Sequence, residues 1–158
     1  MRIRINFCTC CMVSLLVLSF SLQAQSSSDG LAAAAQKGDK VAFQKLLTLG
    51  ERGTLSAEFN LGFLYQHGEG VDKDAKKAAE WYQKAAERGH PSAQYNLGGM
   101  YLRGDGVEKD LVMAYFWRKI AAGDEDEQSA GVSAIAKKMT SSELSKAKKA
   151  VKNWKPRR

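Results

Sequence analysis

The chain repeats itself at an interval of 36 residues, and that constrains its fold more than any other feature. Laid over the stretch that begins at Ala93, the stretch from Ala57 matches at Ala57, Asn60, Leu61, Gly62, Tyr65, Gly68, Gly70, Val71, Lys73, Asp74, Ala78, Trp81, Ala85 and Ala86. Chance does not produce fourteen identities in one period, glycines included. A unit of this length cannot bury an apolar face alone, so copies must stack on one another.

Each copy reads as two helices. Ala57, Leu61 and Tyr65 recur every four residues and share one helical face. Gly68 follows as a helix stop, and Gly68-Glu69-Gly70-Val71 makes a loop. Asp74 is placed to cap the next helix, whose apolar stripe is Ala78, Trp81, Tyr82 and Ala85. Gly89 ends it, and Pro91 fits the first turn of the helix after. The second copy repeats the plan with Gly104, Asp110, Ala114, Trp117 and Gly123. Gly62 and Gly98 fall inside helices, where glycine costs about 1 kcal/mol relative to alanine, so both predict close helix–helix approach. Trp81 and Trp117 supply large buried area.

The run Ala57-x-x-x-Leu61-Gly62-x-x-Tyr65-x-x-Gly68-x-Gly70-Val71-x-x-Asp74-x-x-x-Ala78-x-x-Trp81-x-x-x-Ala85-Ala86-x-x-Gly89 resembles the Sel-1-like repeat, a relative of the tetratricopeptide repeat. The copy from Ala93 to Gly123 resembles it too, with its final glycine two residues early. The resemblance implies an all-α fold, a right-handed α-solenoid of antiparallel helix pairs. It also implies a scaffold or adaptor role without catalysis or cofactor, with bacterial members often exported. In this reading Leu61, Gly62, Tyr65, Gly68 and Trp81, with Leu97, Gly98, Tyr101, Gly104 and Trp117, build the repeats. Some cysteine-rich relatives are linked to β-lactam chemistry. That does not carry over to a chain whose cysteines all lie near its start, and leaves a weak envelope hydrolase as an alternative only.

Flanking segments complete the plan. Residues 25–56 read as a worn copy, with helices over Leu31–Lys37 and Val41–Leu49 joined at Gly38-Asp39. Repeats then occupy 57–92 and 93–126, and 127–158 form a helical cap. Within the cap, Glu127–Met139 is predicted helical, Thr140-Ser141-Ser142-Glu143 is a capping box, and Leu144, Ala147, Val151 and Trp154 form a last apolar stripe.

The first 24 residues differ from the rest. Arg2 and Arg4 precede an uncharged apolar run, Phe7 to Leu22, and Gln23-Ala24-Gln25 follows. This is the layout of a secretory signal with cleavage after Ala24, or else of a retained anchor shorter than a spanning helix. Cys8, Cys10 and Cys11 all lie there. Cleavage would leave a chain without cysteine, hence without disulfides or thiol catalysis. It would also lower the net charge from +7 to +5, by removing Arg2 and Arg4. The predicted destination is a Gram-negative periplasm, or secretion.

Chemistry is sparse. His67 and His90 do not recur in the repeat and read as exposed. Asp124-Glu125-Asp126-Glu127 lacks the alternation of a calcium loop and suits the start of a helix. No phosphate-cradling loop or nucleophile elbow is present. What remains is surface. With Ala57, Leu61 and Tyr65 inward, Phe59, Phe63 and Gln66 point away, as do Tyr95, Gly99, Leu102 and Arg103 in the second copy. First helices line the concave side of such a solenoid, so Phe59, Phe63, Gln66, Tyr95, Leu102 and Arg103 are candidates for gripping a partner peptide or protein. Packing of Phe59 and Tyr95 against a neighbouring repeat is the equal alternative. A second candidate is the basic end, Lys146, Lys149, Lys152, Lys155, Arg157 and Arg158, as a solvated face or a patch for an anionic surface or acidic partner. Nothing resembles a base-reading motif, so nucleic acid is not expected, nor is a transmembrane span beyond the leader.

Overall fold

A computed structural model describes residues 27–123 and 130–157. The leader with its cysteines, the acidic run Asp124–Glu127 and Arg158 lie outside the described residues. Among the described residues there are eight helices and no strand. They are α1 over residues 27–36, α2 Lys40–Glu51, α3 Leu55–His67, α4 Ala75–Glu87, α5 Pro91–Arg103, α6 Leu111–Ala122, α7 Ala130–Ala136 and α8 Ser141–Asn153. Each of α2 to α6 packs on the next, α6 packs on both α7 and α8, and α3 touches α5. None is long and apolar enough to cross a membrane.

The two copies end and restart their helices alike. Gly68 and Gly104 adopt left-handed backbone, φ 73° and 80°, and donate back to the Leu64 and Met100 carbonyls. That conformation costs glycine nothing and other residues about 1 kcal/mol or more. The Asp74 and Asp110 backbone N–H groups then donate to the Tyr65 and Tyr101 carbonyls at 2.9 and 3.0 Å. Their carboxylates accept from the first turn of the next helix, Asp74 from Lys77 N–H and Asp110 from the Val112 and Met113 N–H groups. A side chain at Gly70 would collide with the Ala35 carbonyl, and one at Gly106 with that of Ala75. Each loop therefore rests on the helix pair before it.

The core divides into three stacked clusters. The first described pair meets the first repeat through Leu46, Ala57, Leu61, Leu64 and Trp81. The two repeats meet through Ala78, Tyr82, Ala85, Ala93, Leu97, Met100 and Trp117. The second repeat meets the C-terminal helices through Ala114, Tyr115, Val132, Ile135 and Ala147. The expected stripe Ala78, Trp81, Tyr82 and Ala85 is buried throughout. Tyr65, expected inward, is half-buried, because its ring also meets Phe43 edge-on at 5.9 Å and lies 5.2 Å from Lys77 Nζ. Gly62 lies against the Tyr82 ring, and Gly98 against the Arg118 stem and the Ala114 carbonyl. These are the close approaches the in-helix glycines predict.

One acid is taken into the interior. Glu58 is 4% exposed and pairs with Arg88 at 3.2 Å, and Arg88 also donates to the Gly53 carbonyl. Burial raises the Glu58 pKa despite the Arg88 charge. The capping box forms as the sequence predicts, with Thr140 N–H and hydroxyl on the Glu143 carboxylate and Glu143 N–H on Thr140 Oγ1.

Candidate partner-binding groove

The first helices of the two repeats and α7 leave an open groove of about 580 Å³. Phe59 and Phe63 come from α3, Tyr95 and Asn96 from α5, Arg118 from α6 and Val132 from α7. A helix turns 100° per residue, so Phe59 and Phe63 recur on one side of α3, off the face that carries Leu61. Tyr95, the counterpart of Phe59, is 53% exposed.

The two rings expected at this surface have different fates. Phe59 is half-buried, stacked on His90 at 4.5 Å and 5.8 Å from the Tyr82 ring. It also packs against the core cluster that joins the two repeats. Tyr95 is open on its solvent side, and the Arg118 guanidinium carbon lies 3.6 Å from its ring centroid. Phe63 is half-buried, 4.1 Å from the His67 ring.

Three residues expected at this face are not part of the groove lining. The Gln66 carbonyl is taken by the Tyr82 hydroxyl, which donates to it at 2.8 Å. Leu102 is half-buried and packs against the third core cluster, which includes Val132 and Ile135 of α7. Arg103 pairs with Asp105 at 2.6 Å, beside the groove rather than within its lining. In turn, α6 supplies Arg118, which first-helix reasoning does not reach. Its Nε is buried and meets no acceptor. A buried donor left in this way costs about 1–3 kcal/mol.

Titratable groups near the groove feel its apolar surroundings. Burial lowers the His90 pKa, and burial pushes the Tyr82 phenol up to about 12. His90, expected to be exposed, is half-buried and caps α5, its Nδ1 accepting from Ala93 N–H at 3.3 Å. That role follows from its place directly before Pro91.

The basic end is divided. Lys146, Lys149, Lys152 and Lys155 are exposed. Arg157 folds back instead, its guanidinium 2.7 Å from the Glu87 carboxylate and its backbone N–H 2.8 Å from the Glu87 carbonyl. Pro156 lies against Gly89, and Trp154 meets Trp117 edge-on at 6.4 Å. The tail thus clasps the first repeat, and Arg157, though exposed, has its charge engaged by Glu87.

Antiparallel helix pairs, stacked so that their first helices share one open groove, define an α-solenoid. The Sel1 repeat matches residues 55–90 and 91–123, and the chain is a Sel1-like repeat protein. It is 31% identical to c5321, a protective antigen of uropathogenic Escherichia coli strains whose structure displays an SLR fold, with a TM-score of 0.70 over 81% of this chain. A Sel1 repeat protein from Oxalobacter formigenes is 38% identical, with a TM-score of 0.54 over 60% of this chain. The chitin synthase regulator SKT5 of Saccharomyces cerevisiae is 40% identical over 57 residues, 36% of this chain. The chain spans 29%, 38% and 8% of these relatives respectively. Sel1 repeats generally act in protein–protein interaction.

Proposed function

We propose that this chain is a non-enzymatic scaffold exported to the bacterial envelope, where it holds a segment of a partner protein in the groove between α3, α5 and α7. One observation carries the reading: Tyr95 and Phe63 stand in an open groove of about 580 Å³ while the cores beneath are filled without them. Tyrosine and arginine are among the residue types that dominate binding energy at protein interfaces, and the exposed Tyr95 ring carries Arg118 here. The leader-like pattern of residues 1–24 supports export. A crosslinking pull-down from envelope extracts, comparing the full chain with Phe63→Ala/Tyr95→Ala, tests it. The partner captured by the parent is expected to be lost, with the melting temperature nearly unchanged. Equal capture by both proteins removes the groove from the proposal.

A second reading concerns the lysines of α8. Lys146, Lys149 and Lys152 are exposed, and no ion pair engages them among the described residues. They suit an anionic surface, with attraction that fades as salt shortens the Debye length. Lys149→Glu/Lys152→Glu and phosphatidylglycerol vesicles test this. Unchanged vesicle binding by the variant dismisses it.

A further inference from the structure

The second repeat departs from the first at three positions that meet in space. Where the first has Phe63, His67 and Tyr82, the second has Gly99, Arg103 and Arg118. In the first repeat this corner is filled with rings. Phe63 lies against His67, and Tyr82 packs over Gly62 and satisfies its hydroxyl on Gln66. In the second, Arg118 takes the place of Tyr82, its stem over Gly98. The position of Gln66 is held by Leu102, which offers no acceptor. Removal of the ring at Gly99 makes room for two guanidinium groups. Arg118 Nη2 and Arg103 Nη1 lie 3.1 and 3.2 Å from the point that a Cβ of residue 99 would occupy.

Two like charges are thus brought together with one acid between them. Arg103 has Asp105 at 2.6 Å, whereas Arg118 has no ion pair among the described residues. A guanidinium stacked on an aromatic ring keeps N–H donors at its edge, in a fork that fits a carboxylate. The Tyr95 ring holds the group in that attitude, at the wall of the groove. A single unmatched positive charge suits a monoanionic carboxylate better than a dianionic phosphate. The apolar lining from Phe59, Phe63 and Val132 suits the neighbours of that acid in a peptide.

We propose that Arg118, with Arg103 beside it, receives the carboxylate of an aspartate or glutamate in the peptide that occupies the groove. The inference rests on the groove being a peptide site and adds the chemistry that selects the peptide.

The test is selection of random displayed dodecapeptides on the full chain, on Arg118→Met, which keeps a stem over Gly98, and on Phe63→Ala/Tyr95→Ala. Peptides enriched on the parent are expected to carry an acid flanked by apolar residues, and to bind about tenfold more weakly when that acid becomes an amide or when Arg118 becomes Met. Enriched peptides with no acidic preference, or with equal affinity for their amide forms, overturn the inference and leave peptide binding intact. No enrichment over the Phe63→Ala/Tyr95→Ala chain overturns both. Displacement of the selected peptides by millimolar inorganic phosphate, but not by acetate, assigns the site to phosphate and also overturns it. The amide comparison uses the parent protein, so it stands even if Arg118→Met does not fold.

Discussion

The His90 imidazole stacks on Phe59 with ring centroids 4.5 Å apart and planes 11° from parallel, while its Nδ1 accepts the Ala93 N–H that opens α5. One side chain therefore starts the first helix of the second repeat and braces a wall of the groove. Protonation removes the acceptor and buries a charge. Burial lowers the pKa of His90 in the fold below its value near 6.5 in the unfolded chain. As pH falls through that value, the unfolded chain takes up a proton that the native chain refuses, and stability is lost. Above it the contribution is level. His90→Asn keeps a capping oxygen and does not titrate, so the loss of melting temperature on acidification is expected to be smaller for the variant. Equal losses in both would mean that His90 is not the group responsible.

Tyr82 acts at the alkaline end. Its phenol is pushed up to about 12 by burial, against about 10 in the unfolded chain. Between these values the unfolded chain gives up a proton that the native chain keeps, so stability declines as pH rises, by at most about 1.4 kcal/mol per pH unit. Tyr82→Phe is expected to flatten that decline. At neutral pH it costs about 0.5–1.5 kcal/mol for the bond lost to Gln66. Urea unfolding across the alkaline range, with tyrosinate absorbance as the monitor, separates the two effects.

The repeat architecture was legible in the sequence because its signals are local. Glycine stops, aspartate caps and apolar stripes lie within a dozen residues of the groups they act on, and the 36-residue offset shows each twice. The capping box ahead of α8 was legible for the same reason. The groove was legible only in part. Phe59, Phe63 and Tyr95 were placed by helical rotation, which says nothing of what a neighbouring element covers. So Leu102, on the same side, is half-buried against the third core cluster, and Phe59 is shared with His90. Arg118 is contributed by a second helix, across a contact that no single-helix pattern encodes. The bond from Arg157 to Glu87 joins residues 70 apart, beyond the reach of any periodicity.

The helix-interior glycines give a prediction whose sign depends on surroundings. Alanine in place of a helical glycine ordinarily adds about 1 kcal/mol of stability. At Gly62 the new Cβ would lie 2.6 Å from the Tyr82 ring, which the Gln66 bond and the core hold in place. At Gly98 it would meet the Arg118 and Ala114 backbone at 3.1 and 3.2 Å. Overpacking of this kind costs about 1–3 kcal/mol. Gly62→Ala and Gly98→Ala are therefore expected to lower the melting temperature. Gly30→Ala, with nothing within 4 Å, should raise it or leave it unchanged. Stabilisation at Gly62 would mean that the ring can move aside.

The clasp by the tail separates two roles of a segment that looks, by composition, like a charge patch. Removing residues 154–158 takes away the Trp154 ring that meets Trp117 and the backbone bond to the Glu87 carbonyl. Half-burial of a large ring is worth about 1–2 kcal/mol, so the truncated chain is expected to melt lower. The exposed Arg157–Glu87 ion pair adds less than about 1 kcal/mol, so Arg157→Ala should scarcely shift the melt. Lys149→Glu/Lys152→Glu touches neither contact and is expected to leave the melt in place while removing any salt-dependent attachment. Truncation before Lys146 cannot make this distinction, because it also removes Ala147 and Val151 from the third core cluster. A truncation at residue 154 that melts with the parent would show that Trp154 lies against the fold without supporting it. The charge of α8 would then be the only contribution of the tail left to measure.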